Sequence, residues 1–363
     1  MIKYLGSKRR LVPVLSQIAA SCNARTALDL FTGTTRVAQA FKQLGLHVTA
    51  VDTARYAEVF ARCYIEMDRD AVDPGLLADE LARLDDLSAR PGYVTETFCE
   101  QARYFTPDNG ARIDAIRDAI AASHTGSALE PILLTSLIEA ADRVDSTTGV
   151  QMAYLKKWAP RAHNRLQLQP PALLPGGGRA VQGDALTLAG SLGSFDVAYL
   201  DPPYNQHRYF TNYHVWETLV AWDAPAHYGV ACKRIDARDD DSTRSPFNSR
   251  RTMPAALASV IAAVDAELVV VSYNDEAWLT AADLVDMCAV GGRHVEVLSF
   301  DSRRYVGAQI GVHNPKGERV GTVSHLHNTE LVVVAGPSDL VRRAIERSAS
   351  PIAVTAPLNV TVR

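Results

Sequence analysis

Apolar residues from Ala27 to Leu30 form a short run that ends at Phe31-Thr32-Gly33. A helical pattern follows from Thr35 to Leu44, with Val37, Ala38, Phe41 and Leu44 on one face. The pattern predicts a strand, a tight turn and a helix that stops at Gly45. A second strand is predicted at His47 to Asp52, so the chain opens with a unit of the parallel-sheet kind. After Asp52 the periodicity turns helical, with candidates at Ala54 to Met67, Leu76 to Leu87, Val94 to Tyr104, Ala111 to Ala122 and Pro131 to Asp142. Pro170, Pro171, Pro175 and the run Gly176-Gly177-Gly178 have the composition of a linker. Beyond them, β-rich runs return at Ala180 to Gln182, Asp196 to Leu200, Glu267 to Val271, Val295 to Phe300 and Glu330 to Val334, and would complete the sheet. The polar stretch Ala231 to Arg251 is expected to be an exposed loop, and the helix after it to open at Pro254.

The organisation this implies is an α/β domain with a mixed, mostly parallel sheet, made by residues 1–53 and 178–340. A helical insertion, 54–177, interrupts it, and 341–363 form a C-terminal tail. Composition agrees with a folded body of enzyme size: 363 residues, 47% hydrophobic and 21% charged. No apolar stretch approaches the roughly 20 residues of a bilayer-spanning helix. Lys3, Lys8, Arg9 and Arg10 are followed by no signal-peptide apolar region, so the expected location is cytoplasmic. The five cysteines are dispersed, odd in number and contain no CxxC pair, and the histidines, His207, His214, His325 and His327 among them, have no metal-ligand spacing. Neither a metal site nor a disulfide framework is indicated.

The net charge of -4 argues against a protein that holds nucleic acid by overall charge alone. Charge is uneven, however, since Gln151 to Gln169 carries Lys156, Lys157, Arg161 and Arg165 without an acid. A second basic group, Lys233, Arg234, Arg250 and Arg251, lies in the polar stretch. Both are candidate DNA contacts; the plain alternative is a solvated surface.

The strongest chemical signal is Asp201-Pro202-Pro203-Tyr204, directly after the apolar run that ends at Leu200. In open α/β sheets ligands bind at such carboxyl ends of strands. A carboxylate and an outward-held carbonyl suit an amine whose lone pair is delocalised into a ring. Asp201 and the carbonyl of Pro202 can accept its two hydrogens and localise the pair. The prolines fix φ and remove amide donors, and Tyr204 offers a face for a flipped base. A second signal is Asp29-Leu30-Phe31-Thr32-Gly33-Thr34-Thr35, where Gly33 permits close backbone approach. It is not a GxGxxG fingerprint, and the missing glycines argue against a dinucleotide pyrophosphate, whereas a cofactor without phosphates needs fewer of them. Asp52, at the end of the next strand, stands where an acid usually holds ribose hydroxyls.

Taken together, these motifs resemble the alpha group of DNA amino-methyltransferases, the adenine methyltransferases of the Dam type and, more closely, the modification half of FokI-like systems. The order is matched by Lys3-Tyr4-Leu5-Gly6-Ser7-Lys8, Asp29 to Thr34, Asp52, Gly183-Asp184-Ala185 and Asp201 to Tyr204. The FokI-like branch is resembled by Asn205-Gln206, Asn212-Tyr213-His214, Trp216-Glu217-Thr218, Ser245-Pro246-Phe247-Asn248 and Ser272-Tyr273-Asn274-Asp275. The likeness is weakest from Asp70 to Ala128 and after Ser338.

The resemblance implies a Rossmann-like fold, S-adenosylmethionine as cofactor, double-stranded DNA as substrate and methyl transfer to the amine of a flipped-out adenine. A cognate restriction endonuclease is an implied partner. It assigns cofactor contacts to Tyr4, Lys8, Asp29, Phe31, Gly33, Asp52, Asp184 and Asp201, with Tyr4 or Phe31 offering the sulfonium a face. Rival readings are a cytosine amino-methyltransferase, whose loop more often opens with Ser, a glutamine methyltransferase, whose loop opens with Asn, and a DNA-binding subunit without turnover. Asp201 favours adenine.

Overall fold

The computed structural model describes residues 2–5, 8–204, 206, 208–303, 327–348 and 360–362. Gly6, Ser7, Asn205, His207 and His325, together with 349–359 of the predicted tail, lie outside them. The strands are β1 (Thr26–Asp29), β2 (His47–Asp52), β3 (Arg179–Gln182), β4 (Ser194–Leu200), β5 (His227–Tyr228), β6 (Lys233–Arg234), β7 (Asp265–Asn274), β8 (His294–Arg303), β9 (His327–Gly336) and β10 (Val360–Val362). The chain forms two compact units. One holds Met1–Leu5, Thr32–Gly183 and His207–Ser245; the other holds Gly6–Phe31, Asp184–Gln206 and Pro246–Arg363.

In the second unit the strand order is β10-β8-β9-β7-β4-β1. Strands β1, β4 and β7 run parallel, while β9 is antiparallel to β7 and to β8, and β10 to β8. The first unit holds the parallel pair β2 and β3. The sheet is therefore mixed and mostly parallel, as the alternation of apolar runs and helices predicts. Parallel strands buried on both faces read as unbroken apolar runs, and Val197 to Leu200 and Leu268 to Val271 are 0–1% exposed. Helices Val12–Ser21 and Ser338–Ser348 pack on each other, burying Leu15, Ile18, Val341 and Ala344. No helix among the described residues is long and apolar enough to cross a membrane.

In the first unit the expected stop after helix Arg36–Gln43 is present: Gly45 has φ +85°, and Leu46 N–H returns to the Phe41 carbonyl at 3.2 Å. Each of the five expected helices appears, as Arg55–Ala61 continuing into a π-helix Arg62–Glu66, Pro74–Asp85, a π-helix Val94–Gln101, Pro107–His124 and Glu130–Val144. The π-turns have identifiable supports. Buried Lys42 donates to the carbonyls of Tyr64 (3.1 Å), Ile65 (2.9 Å) and Met67 (2.6 Å) at the end of the first. Asp114 accepts the N–H groups of Gly92, Val94 and Thr95 at the start of the second.

Helix Pro107–His124 buries polar as well as apolar positions, and these polar side chains bond loop carbonyls or the last carbonyls of helix His214–Ala221. Asn109 donates to the carbonyls of Ala162 and Asn164, Arg112 to that of Leu166, and Arg117 to those of Leu219 and Val220.

The stretch Ala231 to Arg251 differs from its expectation as an exposed loop. Strands β5 and β6 form a hairpin across Gly229–Cys232, short helical turns follow at Asp236–Asp239, Asp241–Thr243 and Pro246–Asn248, and Ala231, Arg234, Ala237 and Phe247 are buried. Its buried positions are isolated among charges, so no window of it has an apolar period. The helix that follows, Met253–Ala263, carries Pro254 in its first turn as expected.

Candidate functional site

In the first unit the turn after Phe31 enters the left-handed region at Gly33, with φ +50°. Asp52, at the end of β2, accepts the Gly33 N–H at Oδ2 (2.8 Å) and the Ala54 N–H at Oδ1 (3.0 Å), so the strand-end acid organises the turn. Burial pushes its carboxyl up, and the N–H groups of Ala54, Gly33 and Thr53 pull against that. The Tyr4 ring covers Gly33: a Cβ there would lie 3.0 Å from the tyrosine oxygen and 3.1 Å from its ring. Tyr4 stacks on Tyr213 (centroids 4.7 Å) and Tyr209 (5.4 Å), and its hydroxyl is 3.4 Å from that of Tyr56. The Tyr213 hydroxyl accepts the Leu5 N–H at 2.7 Å. A close-approach turn, a ribose-type acid and a group of aromatic faces fit a cofactor that has a ribose and a cation and no phosphate.

In the second unit β4 is flanked by two parallel partners, with Tyr199 opposite Asp29 on β1 and Leu200 opposite Val271 on β7. Pro202 and Pro203 donate no hydrogen bond, and Asp201 to Tyr204 leave the sheet as irregular chain. Side chains alternate between faces, so Tyr199 and Asp201 share one face with Ser272 and Asn274 on β7 and Glu330 on β9, which is in register with Asn274. Asp201 Oδ1 accepts from Ser272 Oγ at 3.0 Å and pairs with Lys8 Nζ at 3.2 Å. The Ser272 hydroxyl is 2.7 Å from that of Tyr199. Lys8 also reaches Glu330 Oε2 at 3.1 Å, and its ammonium lies 5.4 Å from the centre of the Tyr204 ring. That ring meets Tyr273 edge to face at 5.5 Å.

Burial and the charge of Glu330 push the Asp201 carboxyl up to about 6, against the pull of Lys8 and Ser272. Burial works against the charge on Lys8, but Asp201, Tyr204 and Glu330 hold it well above the usual lysine value. Near neutral pH the arrangement is a carboxylate oriented by an ammonium and a hydroxyl.

The remaining sequence-selected residues are placed as follows. Phe31 packs edge to face on Phe247 at 5.1 Å. Asp29 is buried at the end of β1, and Asp184 caps the turn Ala185–Leu188 through the Leu186 N–H at 2.8 Å. Of the basic candidates, Lys156, Lys157, Arg165, Arg250 and Arg251 are exposed and Lys233 is half-buried. Arg234 is buried, its guanidinium in a bidentate pair with Asp223 (2.7 and 2.8 Å) and bonded to Asp236 (2.7 Å). Arg161 pairs with buried Asp145 at 2.7 Å and with the Thr147 carbonyl at 2.6 Å. These last two charges are matched inside the protein. Residues that sequence reading did not select are Glu330, Tyr56 and Tyr209. The signal for Glu330 is a lone acid immediately before the apolar run that starts at Leu331 in β9.

A family model described as D12 class N6 adenine-specific DNA methyltransferase matches residues 4–287. Among curated proteins the chain is similar to type II methyltransferase M.NlaIII of Neisseria lactamica, 29% identical over 344 residues, which are 91% of this chain and 99% of the relative. It is 26% identical over 304 residues to type II methyltransferase M.FokI of Planomicrobium okeanokoites, covering 78% of this chain and 46% of the relative. Modification methylase StsI of Streptococcus sanguinis is 27% identical over 304 residues, with 79% and 46% covered. The chain thus spans nearly all of the first relative and about half the length of the other two.

Proposed function

The chain belongs to the D12 class of N6 adenine-specific DNA methyltransferases, and from that membership we propose that it moves the methyl group of S-adenosylmethionine to a flipped-out adenine in duplex DNA. The observation that carries the reading is the Asp201 carboxylate, bonded to Lys8 and Ser272 through one oxygen at the mouth of a Pro-Pro-Tyr turn. An adenine amine is a weak nucleophile until its hydrogens are bonded. Asp201 and the Pro202 carbonyl accept them, so the nitrogen lone pair is free to attack, and Tyr204 stacks on the base. Lys8 steadies the carboxylate and keeps it ionised.

S-adenosylmethionine supplies an electrophilic methyl on sulfur. Asp52 would accept its ribose hydroxyls, Gly33 would let the backbone come close, and Tyr4 would present a ring to the cation. Asp29, Phe31 and Asp184 line the remainder by the same resemblance. In the transfer the amine nitrogen would gain the methyl carbon as the sulfur–methyl bond breaks, the sulfur keeping the electron pair in S-adenosylhomocysteine, and the amine would lose one proton on the side held by Asp201.

Residues 1–53 and 178–340 are read as the catalytic part and 54–177 as the part that recognises the target, with exposed Lys156, Lys157 and Arg165 as its support. The relatives' names, type II methyltransferase and modification methylase, support a place in a restriction-modification system beside a cognate nuclease. Incubating the purified chain with isotopically labelled S-adenosylmethionine and unmethylated DNA, then digesting the DNA for mass spectrometry, tests the reading. Label in N6-methyladenine is expected. Label in N4-methylcytosine would establish the cytosine rival, and no label would establish a binding subunit.

A further inference from the structure

Lys8 is 7% exposed and holds two carboxylates at once, Asp201 Oδ1 at 3.2 Å and Glu330 Oε2 at 3.1 Å. A lysine head on a four-carbon stem is a rotatable point charge, and a single carboxylate partner leaves it free to move between the two oxygens. Here the second partner is itself fixed. Glu330 accepts from Asn274 Nδ2 at its other oxygen, Oε1, at 3.0 Å, and both residues are locked in register on neighbouring strands. Ser272 Oγ, fully buried on the same face of β7 as Asn274, donates to the same Asp201 Oδ1. Among the described residues no hydrogen bond reaches Asp201 Oδ2.

Resting on the reading of Asp201 as the acceptor for the adenine amine, we propose that Glu330 is a positioning residue for methyl transfer: it anchors Lys8 so that Lys8 and Ser272 both bind Oδ1 and Oδ2 is presented to the amine. Glu330 also acts through charge. The ionisable groups facing Asp201 are Lys8, Glu330, Tyr199 and Tyr204, and the two phenols are pushed up and stay neutral. Two carboxylates therefore share one ammonium, and Glu330 opposes ionisation of Asp201 while Lys8 favours it.

The test measures kcat, both KM values and the pH profile of kcat for the full chain with S-adenosylmethionine and unmethylated duplex, in Glu330→Ala, Glu330→Gln and Asp201→Ala. Glu330→Ala is expected to lower kcat about tenfold or more with both KM values within about twofold, the pattern of a lost transition-state arrangement. Glu330→Gln keeps an oxygen for Lys8 but not the charge, so it should recover most of kcat and move the acid limb to lower pH by roughly half a unit or more. A change that is only structural would not move that limb. An inactive Asp201→Ala beside an unmoved limb in Glu330→Gln overturns the role of Glu330, even if Glu330→Ala does not fold. Near wild-type turnover in Asp201→Ala would instead overturn the underlying reading.

Discussion

A methyl group on Gly33 would sit 3.0 Å from the phenolic oxygen of Tyr4, at a residue whose φ is +50°. The two constraints add, because any side chain there is strained by the backbone and blocked by the ring. Gly33→Ala is therefore expected to cost about 1 to 3 kcal/mol, read as a lower melting temperature. It should also weaken S-adenosylmethionine binding about tenfold or more in calorimetry, since Tyr4 must move to admit the methyl. Unchanged cofactor affinity would remove this turn from the cofactor site.

Asp201 is expected to act on the reacting amine and little on binding. Asp201→Ala should lower kcat by about 10²-fold or more while leaving cofactor and DNA dissociation constants close to wild type. In the wild type the carboxyl must be ionised to accept a hydrogen, and burial with Glu330 raises it to about 6. The rate should therefore be full well above pH 6 and fall about tenfold per unit below it. A kcat that stays flat down to pH 5 would show that the ionised form is not required.

Tyr204 is expected to work through its ring. Lys8 draws its phenol down, but burial and the acids Glu330 and Asp201 outweigh that and push it up to about 12, so the hydroxyl stays neutral at working pH. Tyr204→Phe should keep most of the activity. Tyr204→Ala should lose about 1 to 3 kcal/mol of base stacking, roughly a 5- to 150-fold loss of kcat/KM. Equal losses in the two variants would move the role to the hydroxyl.

The sheet was legible in the sequence because buried parallel strands are continuous apolar runs, and β2 begins and ends at the residues its pattern marks. The turn at Asp201-Pro202-Pro203-Tyr204 was legible for a related reason, since it breaks such a run abruptly. Glu330 was not, because its meaning comes from register: only the pairing of β7 with β9 sets it beside Asn274 and Lys8. The π-helical turns were read as ordinary helix, as their supports, Lys42 and Asp114, lie about twenty residues away in the chain. Arg234 looked like a surface charge since its partner Asp223 lies across a hairpin from it.

That burial of Arg234 divides the basic residues into two classes with opposite expectations. Arg234 is matched by Asp223 and Asp236, and Arg161 by Asp145, so neither has a charge to spare for phosphate. Lys157 and Arg165 are exposed on a segment without acids, and Lys156 joins them there. Each cation that contacts a phosphate releases a counterion, so Lys156→Ala, Lys157→Ala and Arg165→Ala should each reduce the slope of log affinity against log salt by about one. Arg234→Ala should leave that slope unchanged and instead destabilise the fold by about 1 to 3 kcal/mol, because it removes a buried guanidinium and its charge-assisted hydrogen bonds to two part-exposed carboxylates. Arg161→Ala should likewise leave the slope alone. Affinity for a duplex measured across a salt series, with melting curves on the same variants, separates the classes. A slope that falls in Arg234→Ala and holds in the other three would reverse the assignment and put the hairpin on the DNA.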